Sequence, residues 1–140
     1  MTATASTKPS YLLMASGLIE VGAGLGLALA PGVLVTLFFG EGGETTTART
    51  VARLAGSALL ALGTACWLAR HNERSQGARA VIVAMLVYNT AAVAVLAGAA
   101  IVLELQGRGL WPAVLLHAAL AVWCFARLWA LQPLRTPDRT

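Results

Sequence analysis

Four strongly polar side chains lie inside apolar stretches of the sequence: Glu20, Arg53, Asn89 and His117. A carboxyl, a guanidinium, an amide and an imidazole can together bind a ligand through hydrogen bonds or exchange a proton with it. Each occurs in a different apolar run, so the four groups can meet only if those runs pack side by side. The elements that carry them therefore decide whether they form a site.

The composition predicts that these elements lie in a lipid bilayer. Of 140 residues, 58% are hydrophobic and 11% are charged, and the mean hydropathy is +0.74. An ordinary soluble domain has about a quarter charged residues, and a chain of this length has no core that could bury so much apolar surface. The net charge of +4 does not indicate nucleic-acid binding, because the basic residues flank the apolar runs without interleaved aromatic residues.

Four apolar runs each reach the length of about 20 residues that crosses the hydrocarbon core. They predict an all-α integral membrane protein, an up-down four-helix bundle, because short polar links make consecutive helices antiparallel neighbours. The predicted four-helix domain covers residues 11–131, between an N-terminal tail (1–10) and a C-terminal tail (132–140). Its helices are predicted over about 11–39, 49–70, 79–105 and 110–131.

The first run is longer than one crossing requires. Pro31 and Gly32 predict that its helix kinks or ends there, and that the segment up to Phe39 continues as a half-turned or interfacial piece. A small-x-small pattern before Pro31 is typical of signal-peptide cleavage sites, but the apolar run ahead of it is too long, so we interpret the run as a retained anchor.

Basic residues are distributed unevenly between the two sides of this bundle. Seven fall on the side of the termini and the second link, namely Lys8, Arg70, Arg74, Arg79, Arg127, Arg135 and Arg139. Two, Arg49 and Arg108, fall on the other side. The positive-inside rule then predicts cytoplasmic termini in a multi-pass protein of the inner (plasma) membrane.

Helical rise places the four polar side chains at membrane depth. At about 1.5 Å per residue, Glu20 and Asn89 lie near the midplane, with His117 about 10 Å and Arg53 about 6 Å below the outer face. A charged group facing lipid at such depth costs about 2.5 to 3.5 kcal/mol or more. We therefore expect all four to point inward, to meet each other and to form a ligand-binding site.

Each of the four has a structural alternative. Asn89 can join two helices by a hydrogen bond, and His117 can be a satisfied packing residue. Arg53 can extend to the outer face. For Glu20 the alternative is a buried ion pair with Arg53, which requires both side chains nearly extended, so we expect a neutral or histidine-bonded Glu20.

Small residues at four-residue spacing predict close helix contacts. Ser16, Gly17, Ala23 and Gly24 share the face of Glu20, and further small pairs are Gly22 with Gly26, Ala52 with Gly56, and Ala94 with Gly98. These faces exceed what one four-helix bundle uses internally, so we expect a homo-oligomer or a partner subunit in a larger membrane complex. Cys66 and Cys124 lie inside apolar runs and are interpreted as small apolar side chains.

The sequence contains none of the common catalytic motifs. It has no HExxH, no nucleophile elbow and no phosphate loop, and "GAGLG" lies in an apolar helix without a preceding strand. His117 is the single histidine in an apolar run, which disfavours a haem with two histidine ligands. We therefore predict a non-enzymatic protein with no cofactor and no metal.

Two resemblances add to this interpretation. The segments "YLLMASGLIEVGAGLGLALAPG", "ARLAGSALLALGTACWLAR", "MLVYNTAAVAVL" and "LWPAVLLHAALAVW" resemble a group of small, uncharacterised bacterial four-helix integral membrane proteins, which implies the fold. Residues 11–22, "YLLMASGLIEVG", are similar to the first helix of small multidrug resistance transporters. That similarity implies that Glu20 is shared by protons and a cationic substrate.

Two functions follow as expectations. The first is a non-enzymatic membrane protein whose polar intramembrane site binds a small or lipidic ligand, or which serves as an accessory subunit of a membrane complex. The second is a small proton-coupled transporter that uses Glu20.

Overall fold

A computed structural model describes residues 9–132 of the protein, and the regular secondary structure within them is entirely helical. The helices are α1 (Tyr11–Leu29), α2 (Pro31–Phe39), α3 (Thr46–Ala69), α4 (Gln76–Ile101) and α5 (Leu110–Ala130). All except α2 are long and apolar enough to cross a membrane, which indicates a multi-pass membrane protein. The predicted tails fall almost wholly outside the described residues, as do Lys8, Arg135 and Arg139.

The chain breaks at Pro31, as predicted. Ala30 leaves helical geometry, with φ −130° and ψ 53°, and Pro31 starts α2 at the position where its missing N–H costs least. The short helix α2 ends at Phe39 and is capped by Gly40, whose φ of +83° favours glycine. The Gly109 N–H donates to the Leu37 carbonyl at 2.9 Å, which fastens α2 to the start of α5.

Helices α3 and α4 each begin three residues before the predicted start, at Thr46 and Gln76. The reason is a side-chain cap at each start. Thr45 Oγ1 accepts from the Ala48 N–H at 3.2 Å, and Ser75 Oγ accepts from the Ala78 N–H at 3.1 Å. An apolar run does not include a polar first turn, so run length alone places the helix start too late.

The long helices associate mainly as two pairs, α1 with α3 and α4 with α5. Glycines bring the first pair close together: a Cβ atom at Gly24 would lie 2.8 Å from the Gly56 carbonyl oxygen, and one at Gly63 would lie 3.0 Å from the Gly17 carbonyl oxygen. Such close backbone approach is typical of small-residue interfaces between membrane helices. Gly17 and Gly24 belong to the small face that the sequence assigns to Glu20.

One buried cluster joins the two pairs. It links the beginnings of α1 and α4 to the ends of α3 and α5 through Leu13, Ile82, Met85, Cys66 and Cys124. We call this the Ser10 end of the molecule, because the Ser10 N–H also donates to the Arg70 carbonyl there, at 2.7 Å. The opposite end, with residues 37–45 and 102–109, is called the Gly40 end. Residues of both helix pairs line a cavity that extends from Glu20 and His117 toward the Gly40 end.

Candidate functional site

The cavity between the helix pairs has a volume of about 670 Å³ and is lined by residues of all five helices. Most of its wall is aliphatic or alanine. The side chains of Glu20, Tyr88 and His117 are its polar and titratable groups. Leu34 and Phe38 of α2 line it toward the Gly40 end. An apolar cavity with a few convergent polar groups is the usual form of a small-molecule site.

Glu20 reaches the cavity from α1. Its relative exposure is 1%, and its Oε1 atom has no hydrogen-bond partner among residues 9–132. Ser16 Oγ, one helical turn earlier, is buried and equally without a partner in that range. A buried polar atom without a partner is costly and in native proteins usually has a reason, such as a water or a ligand.

His117 reaches the cavity from α5, and Asn89 of α4 fixes its ring. The Asn89 Nδ2 donates to the Met85 carbonyl at 2.8 Å, so the amide oxygen is the atom that faces His117 Nδ1, at 2.7 Å. An amide oxygen can only accept, and Nδ1 must therefore carry the hydrogen. In the neutral ring this leaves Nε2 as an acceptor.

Tyr88 completes the polar end of the cavity. Its ring meets the His117 ring edge to face, with centroids 5.6 Å apart and an interplanar angle of 84°. This contact holds the imidazole from a second side. Sequence reasoning missed Tyr88, although its position directly before Asn89 in an apolar run was a usable signal.

Arg53 does not join the other predicted site residues. It is exposed and lines a different cavity, of about 760 Å³, together with residues of α2. No ion pair joins it to Glu20 within the described part of the chain. The structure therefore places Glu20 and His117 in one cavity, with Asn89 directly behind His117, and leaves Arg53 outside it. A hydrogen bond between Glu20 and His117 is also absent from the described residues.

The comparisons with known proteins leave the function to be inferred from this geometry. No family model, no curated protein and no solved structure matches the chain.

The polar groups that line the cavity can form hydrogen bonds and exchange protons. Glu20 and His117 supply a carboxyl and an imidazole, which can each bind or release a proton. Residues 9–132 contain no cluster of three or more His, Cys, Asp or Glu side chains that could hold a metal ion. The arrangement is suited to binding one polar headgroup at the end of an apolar space.

A second polar contact, also missed from the sequence, lies at the Ser10 end. Arg127 of α5 donates from Nε and Nη2 to the two carboxylate oxygens of Glu73, at 2.9 and 2.5 Å. These hydrogen bonds hold the pKa of the Glu73 carboxyl below its ordinary value. The pair fastens the link between α3 and α4 to α5. The apolar runs do not indicate the path of the polar link between α3 and α4. The sequence therefore placed Arg127 only among the basic residues counted for the topology.

Proposed function

We propose that the chain is a small, non-enzymatic integral membrane protein whose intramembrane cavity binds a small or lipidic ligand. The observation that supports this most is Glu20, a buried carboxyl with an oxygen that has no partner in residues 9–132, beside a cavity of about 670 Å³. A carboxyl that only fastened helices would have a partner on another helix.

The proposed arrangement is an up-down four-helix bundle of the inner (plasma) membrane with both termini in the cytoplasm. It is supported by the buried cluster, which joins the starts of α1 and α4 to the ends of α3 and α5. Four arginines lie toward the Ser10 end: Arg70, Arg74, Arg79 and Arg127. Reporter fusions after residue 140 and within residues 71–79 test the topology: both should report cytoplasm, and a fusion within 41–45 should report the outside. An external C-terminus would contradict it.

We also propose that the protein forms a homo-oligomer or is an accessory subunit of a larger membrane complex. Gly22 and Gly98 have no neighbouring atom within 4 Å of an added Cβ, and many large apolar side chains are exposed. Lipid covers such surfaces in a membrane, but small residues also allow a second helix to approach closely. Co-purification of a fixed partner protein would favour the accessory role.

A proton-coupled transporter is the alternative function, and the unpartnered Glu20 favours it as well. A membrane-embedded carboxyl that is free of a protein partner can bind a proton or a substrate in turn. Proton uptake by proteoliposomes that depends on added substrate would support the transporter. Uptake that does not change with any substrate would support a binding protein.

The binding proposal is tested by filling the cavity. Ala92 lines it, whereas Ala94 of the same helix is exposed and does not. Native mass spectrometry of protein purified from its membrane should show a bound small molecule on the wild type and on Ala94→Phe. The adduct should fall at least about tenfold on Ala92→Phe, because a phenyl ring occupies the space that the ligand needs. Equal occupancy of the two variants would contradict ligand binding in this cavity.

A further inference from the structure

We infer that the cavity recognises a neutral amphiphile with a single hydroxyl headgroup and an apolar body, its hydroxyl bound between Glu20 and His117. This inference rests on the proposed ligand-binding function and names the chemical class of the ligand. It follows from the hydrogen-bonding capacity of the two side chains and from the absence of a second charged group among the lining residues.

The His117 side of the site requires a hydrogen-bond donor. The Met85 carbonyl fixes the Asn89 amide, and the Asn89 oxygen fixes the hydrogen on His117 Nδ1. The remaining ring nitrogen, Nε2, makes no hydrogen bond within residues 9–132 and belongs to a side chain that lines the cavity. A neutral imidazole presents a lone pair there. A ligand group that cannot donate leaves this acceptor unsatisfied.

The Glu20 side of the site supplies a donor. No arginine, lysine or ion pair reaches Glu20 in the described structure, and its side chain is almost fully buried among apolar groups. An isolated carboxylate in such surroundings is far more costly than a carboxylic acid. The acid form donates one O–H hydrogen bond. Glu20 and His117 thus offer one donor and one acceptor, which is what a hydroxyl needs to accept one hydrogen bond and donate another.

The rest of the cavity fits an apolar body. Its wall toward the Gly40 end is formed by Leu34 and Phe38 of α2 and by alanines and branched aliphatic residues of the long helices. Arg53 lies outside it. A phosphate or zwitterionic headgroup would therefore lose its hydration without gaining a countercharge, which excludes an ordinary phospholipid as the best ligand.

A lipophilic cation makes opposite demands. Its ammonium can only donate, so it requires an ionised Glu20 and would leave the O–H of a neutral Glu20 without an acceptor. Replacing Glu20 by Gln therefore separates the two ligand classes. The amide keeps a donor and an acceptor for a hydroxyl, but it carries no charge for a cation.

The test uses three probes of equal chain length: 1-dodecanol, its methyl ether and dodecylammonium. Binding is followed by the ¹⁵N resonances of His117 in full-length protein labelled with [¹⁵N]histidine, in lipid nanodiscs. His71 is the only other histidine. In the His71→Gln background, all labelled histidine signals therefore come from His117. Dodecanol should move the Nε2 resonance and bind about tenfold more tightly than the ether, which lacks the donor. Glu20→Gln should keep dodecanol affinity within about threefold, because its amide retains both hydrogen-bonding functions.

The contrary outcomes are distinct. If the ether binds as tightly as the alcohol, the cavity binds apolar molecules without recognising a hydroxyl group. The inference then fails, while the proposed ligand-binding function stands. If dodecylammonium binds most tightly and Glu20→Gln abolishes its binding, the site is cationic and the inference fails. If no probe binds and the Ala92→Phe and Ala94→Phe variants purify with equal adducts, the proposed function fails too.

Discussion

Asn89 Oδ1 and His117 Nδ1 lie 2.7 Å apart, and this hydrogen bond joins α4 to α5 beside the cavity. Asn89 is fully buried and its amide also binds the Met85 carbonyl of its own helix. The bond therefore has two effects, since it fastens one helix pair and sets which nitrogen of His117 remains an acceptor.

The first prediction concerns this bond. Asn89→Leu should lower the free energy of unfolding by roughly 0.5 to 2 kcal/mol, the range found for hydrogen bonds between membrane helices. It should also remove the preference for hydrogen on His117 Nδ1. Thermal unfolding in detergent measures the first effect and ¹⁵N spectra of the imidazole measure the second. The matched control is Thr90→Ala, whose hydroxyl binds only the Leu86 carbonyl of its own helix. Equal losses in both variants would contradict the assigned role of Asn89.

The second prediction concerns the charge state of Glu20. Because Arg53 lies outside the cavity, Glu20→Gln should unfold near the wild-type temperature, and the effects of Glu20→Gln and Arg53→Gln should add in the double variant. A buried ion pair would behave differently: each single variant would cost about 3 to 5 kcal/mol and the double variant would be milder. Thermal unfolding of the three variants in detergent decides between these outcomes, and strong non-additivity would rule out a neutral Glu20.

The position of Arg53 shows what sequence reasoning could and could not provide. The 1.5 Å rise of a helix gives depth along its axis, so the polar residues could be assigned to one band of the membrane. Depth does not give the direction in which a side chain points from the helix axis. That direction matters only relative to the neighbouring helices, whose positions the sequence does not provide. Arg53 was therefore predicted to meet the other polar side chains, but it lines another cavity. Pro31 was predictable because its ring alone breaks the helix, whereas the Glu73–Arg127 pair depends on the path of a polar link.

The third prediction separates internal glycines from exposed ones. Gly24→Leu should destabilise the fold by about 1 to 3 kcal/mol, because its side chain would collide with the Gly56 carbonyl and Leu60 of α3. A Cβ atom added at Gly22 meets no neighbouring atom within 4 Å, so Gly22→Leu should leave unfolding unchanged. If the protein is a homo-oligomer through this face, Gly22→Leu shifts its assembly state in mild detergent. Gly26 lies next to Leu34 of α2, and Gly26→Leu should shift the assembly state as well.

Size-exclusion chromatography with light scattering measures the assembly state of these variants. Unchanged assembly of both Gly22→Leu and Gly26→Leu would show that these glycines are internal packing or incidental. Wild-type stability of Gly24→Leu would contradict the close α1–α3 contact.

The fourth prediction is a pH dependence at the Ser10 end. Hydrogen bonds from Arg127 lower the pKa of Glu73 in the folded state, so the unfolded chain binds the proton more readily. The stabilisation is complete above the unfolded pKa of about 4.3 and is lost as the pH falls through the lower folded value. Since the Arg127 side chain is 42% exposed, the contribution is modest, about 0.2 to 1 kcal/mol.

Unfolding temperatures measured from neutral to acidic pH test this prediction. Glu73→Gln should be less stable than the wild type near neutral pH, and the difference should shrink on acidification. Glu41→Gln, an exposed residue outside any ion pair in the described chain, should not show this pattern. A difference that grows as the pH falls would have the wrong sign.

We propose that the cavity between the helix pairs holds a ligand at Glu20 and His117. A crystal structure of the purified wild-type protein grown from a lipidic mesophase tests it most directly, because it maps what lies inside the cavity. We expect elongated density along the apolar wall, with one end within hydrogen-bond distance of Glu20 and of His117 Nε2. A cavity closed by side chains, or density that avoids both polar groups, would contradict it.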